Sequence, residues 1–280
     1  MPLVEFQDFS FKYYGADSLA LKKVTLAIDE GEYVVITGPS GCGKTTLCRA
    51  INGLIPQFHR GYIAGNVVVN GMNTREHEVA EFATTAGLVF QQPENQLVTL
   101  NVEKEIAFGP ENLGVEPAEV RRRVEELIDL LDIEHLRDKH PHEMSGGEQQ
   151  RVAIAATLAL KPKILIADEP TSNLDPKSAE TILEIISSLN RRGMTVAIVE
   201  HRLDLVAKDA SRIIVMDQGS VVADGRPREV LVDDICEEIG VGIPKATLIY
   251  KRLAAKKVRL SGVPLSGDEL ASLVKESGST

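Results

Sequence analysis

Nine consecutive residues, Gly38-Pro39-Ser40-Gly41-Cys42-Gly43-Lys44-Thr45-Thr46, fit the pattern G-x-x-x-x-G-K-[ST] with no substitution. Gly38, Gly41 and Gly43 let the backbone turn sharply, so that successive N–H groups can face one concavity. A helix that begins there adds the positive end of its dipole, and loop and helix together make an anion site suited to a polyphosphate. Lys44 would reach the β- and γ-phosphates, and the Thr45 hydroxyl would ligate Mg²⁺. The chemistry this run implies is nucleotide binding.

Four other places carry residues suited to the same chemistry. Ile164-Leu165-Ile166-Ala167 runs apolar into the adjacent carboxylates Asp168 and Glu169. Side chains alternate along a strand, so the two acids should point differently. Asp168 fits a Walker-B position in the Mg²⁺ shell, and Glu169 could orient or deprotonate a water. Thr195 to Val199 ends at Glu200-His201, which puts a histidine on the rim where α/β sites form. Behind a phosphate loop, a γ-phosphate contact is the better reading for His201. Ser145, followed three residues later by Glu148, is a capping box, so a helix should start at Gly146-Gly147 and offer a second anion site. An ordinary capped helix explains Ser145 and Glu148 but not the pair of glycines. Tyr13 or Tyr14, just after the first strand, could stack on an adenine ring or pack a strand edge, and spacing does not choose.

The elements around these residues follow from periodicity. Tyr33-Val34-Val35-Ile36 predicts a buried strand entering the phosphate loop, and Leu47, Ala50, Ile51 and Leu54 predict the helix leaving it. Val4, Phe6, Phe9 and Phe11, then Val24, Leu26 and Ile28, fit earlier strands. Val67-Val68-Val69 predicts another, ending in the tight turn Asn70-Gly71. A short helix is expected over Glu76–Phe82, and Gly87 to Phe90 as a strand stopped by the polar loop Gln91-Gln92-Pro93-Glu94-Asn95-Gln96-Leu97. Pro117 should open a helix with Val120, Val124, Leu127, Ile128 and Leu131 inward and Arg121–Arg123 on a solvated face. Asp175-Pro176 should cap a helix, and Asp217-Gln218-Gly219-Ser220 should join a hairpin. Beyond Leu231, two helical pieces around Ala246–Leu253 and Gly267–Val274 are too small for a core of their own. They read as an appendage docked on the main domain or on a partner.

The chain has 280 residues and a formal charge of −10, which argues against a nucleic-acid partner. Its three cysteines, Cys42, Cys48 and Cys236, have no metal-ligand spacing and fit a reducing compartment. No signal peptide is visible, and no apolar run approaches the ~18–20 residues that span a bilayer. If the protein works at a membrane, other chains must cross it.

The order of these motifs resembles the nucleotide-binding subunit of ATP-binding-cassette (ABC) transporters, from about Val4 to Leu231. The most specific piece is Ser145-Gly146-Gly147, lying between a phosphate loop and an Asp168-Glu169 strand. The resemblance implies an α/β P-loop NTPase core with an N-terminal antiparallel β subdomain and a helical signature subdomain over about 92–160. Residues 1–231 would form the nucleotide-binding domain and 232–280 a small helical appendage. It implies that Tyr13 stacks on adenine and that Ser40, Cys42 and Thr46 join the glycines, Lys44 and Thr45 around ATP. Gln91 would lie near Mg²⁺ and the attacking water, Asp168 in the metal shell, Glu169 as the base and His201 on the γ-phosphate. Ser172-Asn173-Leu174-Asp175 resembles the segment that crosses between subunits. Gln91 to Gln96, followed by Glu105-Ile106-Ala107-Phe108-Gly109-Pro110-Glu111-Asn112-Leu113, is similar to energy-coupling factor importers of vitamins and of cobalt or nickel ions. In that group the appendage helps to join two ATPase subunits. The signature carries Glu148 where glutamine is usual, and the capping box should fold that carboxylate back onto the Ser145 N–H.

One chain with two anion sites suggests a head-to-tail pair, each ATP held on one Lys44 loop and closed by the other chain's Ser145-Gly146-Gly147. The second subunit could be the same chain or a sister. A transmembrane coupling subunit would be contacted through Gln91–Leu97 at the cytoplasmic face, with a substrate-binding membrane subunit reached only indirectly. Rival readings are an importer with an external binding protein, and a soluble cassette acting on DNA or ribosomes. The soluble cassette predicts basic patches, a coiled-coil insertion or duplicated cassettes, none of which the sequence shows.

Overall fold

The computed structural model of the chain describes residues 1–258 and 260–278. Among the described residues ten strands form two sheets: β1 Val4–Tyr13, β2 Leu21–Ile28, β3 Tyr33–Thr37, β4 Gly61–Val69, β5 Met72–Asn73, β6 Ala86–Val89, β7 Ile164–Asp168, β8 Thr195–Val199, β9 Arg212–Asp217 and β10 Ser220–Gly225. The first sheet has the order β2-β1-β4-β5 and is antiparallel. The second has the order β10-β9-β3-β8-β7-β6 and is parallel, except for the hairpin strand β10 at its edge. This is the α/β core with an antiparallel β subdomain that the resemblance implies.

The parallel strands read as continuous apolar runs because both of their faces are covered. Successive residues supply opposite cores. Val35, Leu165, Ala167, Val196, Ile198, Ile213 and Val215 pack with the helical segments, whereas Val34, Ile36, Ile164, Ile166, Ala197 and Val199 pack with the phosphate-loop helix and the antiparallel sheet. Leu231, Cys236, Val241 and Leu265, from beyond the last strand, join the first of these cores. Two further helices, Lys245–Ala255 and Gly267–Gly278, follow. They are tied back by Lys245 N–H to Asp204 Oδ1 at 2.8 Å and by an ion pair of Arg228 with Glu269 at 2.9 Å.

Three expectations shift. β1 does not alternate simply. Asp8 sits at φ 50° and the register slips beside both neighbours, so a bulge turns Phe6 and Phe9 both into the core. The helix expected over Glu76–Phe82 covers only Val79–Phe82, because the Glu78 and Glu81 carboxylates form a capping box that fixes its start. Of the three arginines on helix Pro117–Leu130, Arg121 and Arg122 are exposed, but Arg123 is half-buried. Its Nη1 donates to the Ala159 carbonyl at 2.7 Å and so satisfies the end of helix Gly146–Leu158.

Candidate nucleotide site

The phosphate loop leaves the C-terminal end of β3, beside the ends of β8 and then β7, where open parallel sheets form their binding crevices. Gly38 and Gly43 have φ of 148° and 112°. A Cβ on Gly38 would lie 2.1 Å from the Met216 carbonyl oxygen, and one on Gly43 would lie 2.5 Å from that of Ala20. Both conformation and space therefore demand glycine. Gly43 caps helix Lys44–Ile51 with no side-chain partner, so the first N–H groups of that helix face the loop. The Lys44 ammonium is buried and folded into the concavity, donating to the carbonyls of Gly38 at 3.0 Å and Pro39 at 2.9 Å. Cys42 Sγ lies 3.9 Å from it, and burial pushes this thiol's pKa up, so Cys42 packs the loop as a neutral group. The Tyr13 hydroxyl lies 3.2 Å from Thr46 Oγ1, whereas Tyr14 is 77 % exposed, so Tyr13 is the aromatic that reaches the loop.

Asp168 and Glu169 take different directions, because β7 ends at Asp168 and the backbone turns left-handed at Glu169. Asp168 is buried and accepts from the Thr45 hydroxyl, and its Oδ1 has no hydrogen-bond partner. Burial raises its pKa, against the bond from Thr45. An unpartnered buried carboxylate oxygen beside a hydroxyl is a donor set for a hard divalent cation, so Thr45 and Asp168 fit Mg²⁺. Glu169 turns away at φ 49°, a left-handed conformation that non-glycine residues seldom adopt. One of its carboxylate oxygens accepts from Gln91 Nε2 at 2.9 Å and the other lies 2.9 Å from His201 Nε2. Three residues that the sequence separates by up to 110 positions thus meet on one carboxylate (Gln91 to His201).

Beneath this group lies a residue that sequence reading passed over. Glu200 is 3 % exposed and accepts from the backbone N–H groups of His201 at 2.8 Å and Arg202 at 2.9 Å, and it bonds the Thr171 hydroxyl. Its only signal in the sequence was an acid continuing the apolar run Val196–Val199.

Ser145, Gly146, Gly147 and Glu148 stand elsewhere. Ser145 caps helix Gly146–Leu158, and Glu148 Oε2 accepts from its backbone N–H and its hydroxyl, both at 2.7 Å. These bonds lower the Glu148 pKa, helped by Lys139 and His135 nearby. The carboxylate is folded back onto the cap as expected. The second glycine has a structural reason within the chain: a Cβ on Gly147 would lie 3.0 Å from Ser178. Asp175 caps helix Pro176–Arg191 through the N–H groups of Lys177 and Ser178, both at 3.1 Å. A cleft of about 500 Å³ reaches Thr45 and Asp168 and is lined by Arg49, Phe58, His59, Phe90, Gln91 and Asn95, with no residue of Ser145–Glu148 on its wall.

The family model described as ABC transporter matches residues 21–172. An ABC transporter ATP-binding protein of Pyrococcus abyssi is 42% identical over 278 residues, 99% of each chain. A protein named cobalt import ATP-binding protein CbiO, from Syntrophus aciditrophicus, is 40% identical over 253 residues, 90% of this chain and 88% of that one. Among solved structures, CbiO1 of Clostridium perfringens, described as part of the ABC transporter complex CbiONQ, superposes with a TM-score of 0.75 at 30% identity, covering 91% of this chain and 98% of that one. With this geometry and these relatives, the chain belongs to the ATP-binding ATPase subunits of the ABC transporter family.

Proposed function

We propose that the chain hydrolyses ATP to energise an importer of the energy-coupling-factor type, carrying vitamins or transition-metal ions, and that it works as a head-to-tail ATPase pair at the cytoplasmic face of the membrane. The observation that carries the pairing is the separation of two anion-binding halves. The Lys44 loop has Thr45, Asp168, Glu169, Gln91 and His201 around it, but the exposed Ser145-Gly146 helix start lines no part of the cleft that reaches Thr45 and Asp168, and Gly146 borders instead a separate cavity with Gln91, Pro170 and Leu174. A triphosphate on one loop needs charge neutralised on its far side, and a second chain's helix start supplies that. The cobalt-import relative and the CbiONQ structure favour the importer type.

In this reading, Lys44 swings from the loop carbonyls to the β- and γ-phosphates. Thr45 and Asp168 would hold Mg²⁺, with Gln91 beside them, and a bound ion would supply neutralisation of developing phosphate charge. Glu169 accepts a proton from the attacking water, Gln91 helps to orient that water, and His201 contacts the γ-phosphate and fixes the carboxylate of Glu169. Tyr13 stacks on adenine. Asp175 meets the opposing subunit, and residues 232–280 contribute to pairing.

The transmembrane coupling subunit docks where the Gln91–Leu97 loop borders two joined clefts. The second, of about 280 Å³, shares Leu54 and Phe90 with the first and is lined by Val79, Leu88, Phe108 and Leu160. Among the described residues no helix is long and apolar enough to cross a membrane. Purifying the complex from detergent extracts tests the proposal. Recovery of one shared transmembrane subunit with small exchangeable substrate-binding membrane subunits is expected, whereas recovery with an external binding protein or with ribosomes would contradict it.

A further inference from the structure

Glu200 is a carboxylate that accepts three hydrogen bonds in a position that is almost closed to solvent. The three bonds reach two separate segments of the site. The Thr171 hydroxyl belongs to the segment that leaves Glu169 toward Asp175. The N–H groups of His201 and Arg202 begin the segment that carries the histidine. A second tie runs the opposite way between these segments, from Arg202 Nη2 to the Thr171 carbonyl at 2.7 Å. The Glu200 N–H itself bonds the Ile36 carbonyl at 3.2 Å, on the strand that enters the phosphate loop. Nothing in the strand requires an acid here, because β8 is buried throughout and apolar from Val196 to Val199.

A buried carboxylate is costly unless its lone pairs are met. Here they are met by groups whose alignment sets where the His201 ring stands. We infer that Glu200 is a positioning residue for hydrolysis. It clamps the Thr171 segment to the His201 segment, so that the imidazole stays on Glu169 and the run toward Asp175 moves with it. The inference rests on the proposed roles of Glu169 and His201. Glu200 lines no part of the cleft that reaches Thr45 and Asp168, and it also pairs with the Arg202 guanidinium at 4.0 Å, so it acts through the His201–Arg202 and Thr171 segments. Outer partners that orient a functional side chain typically change activity by about 10–100-fold when removed.

Steady-state MgATP hydrolysis and nucleotide affinity of the full chain distinguish these roles. Glu200→Ala is expected to lower kcat by about 10–100-fold with nucleotide Kd within about threefold. Glu200→Gln keeps an acceptor for the two N–H groups and can still bond Thr171, so it should recover most of the loss. In a double-mutant cycle, Glu200→Ala should add little to His201→Ala, because both act at one point. Full additivity of the two losses, or an unchanged kcat in Glu200→Ala, overturns the role given to Glu200. An unchanged kcat in His201→Ala instead overturns the reading of the site itself. If Glu200→Ala does not fold, Thr171→Val, which removes one bond of the clamp, should still lower kcat without raising Kd. Wild-type turnover in that variant would overturn the inference.

Discussion

Asp168 and Glu169 are adjacent in sequence and opposite in circumstance. Asp168 is closed in with an unpaired oxygen, while Glu169 is one-fifth exposed and held between Gln91 and His201. Burial raises the Asp168 pKa, so the folded state holds its proton more tightly than the unfolded one. Its ionised form therefore costs stability as pH rises above the ordinary value of 3.8, and Mg²⁺ would remove that cost. Asp168→Asn is expected to raise the Tm of the metal-free protein by relieving a penalty on the order of 1 kcal/mol, while abolishing turnover. Melting in a chelator alongside an ATPase assay checks both halves. Glu169→Gln should cut kcat by about 10²–10⁴, or roughly 3–5 kcal/mol, with nucleotide binding kept. Loss of nucleotide affinity in that variant would make Glu169 structural.

Among the elements, helix Gly146–Leu158 carries its own charge balance. Glu148 is held below its ordinary value of 4.5 by the Ser145 N–H and hydroxyl. Its contribution to stability is therefore present above that value and lost as pH falls through the lowered one. Glu148→Ala should destabilise the chain by about 1 kcal/mol near pH 7, and the difference should shrink in denaturant titrations taken below about pH 4.5. This cap was legible in the sequence, as were the cap at Asp175, the phosphate loop and its flanking strand, because local hydrogen bonds and glycine geometry fix them. Elements whose form depends on distant partners were not. The bulge at Asp8 answers to two neighbouring strands, and Arg123 turns inward to reach a carbonyl 36 residues away. Glu200 shows the same limit: an acid at a strand end reads as solvated until Thr171 is brought to it. Tyr13 is separated from Tyr14 only once β1 brings it beside Thr46.

At the scale of the whole molecule, the proposed shared site rests on the loop after β3 and the helix start at Ser145, which lines no part of the cleft that reaches Thr45 and Asp168. The opposing subunit is the part of the account least visible in one sequence, because it enters only through what the site lacks on its open side. The most direct measurement is sedimentation equilibrium of the Glu169→Gln chain over a range of concentrations, with and without MgATP. A shift from monomer to dimer that requires MgATP, and that Ser145→Arg removes, is the expected result. A chain that stays monomeric at every concentration with nucleotide bound, or that pairs equally well with Ser145→Arg, would contradict the shared site.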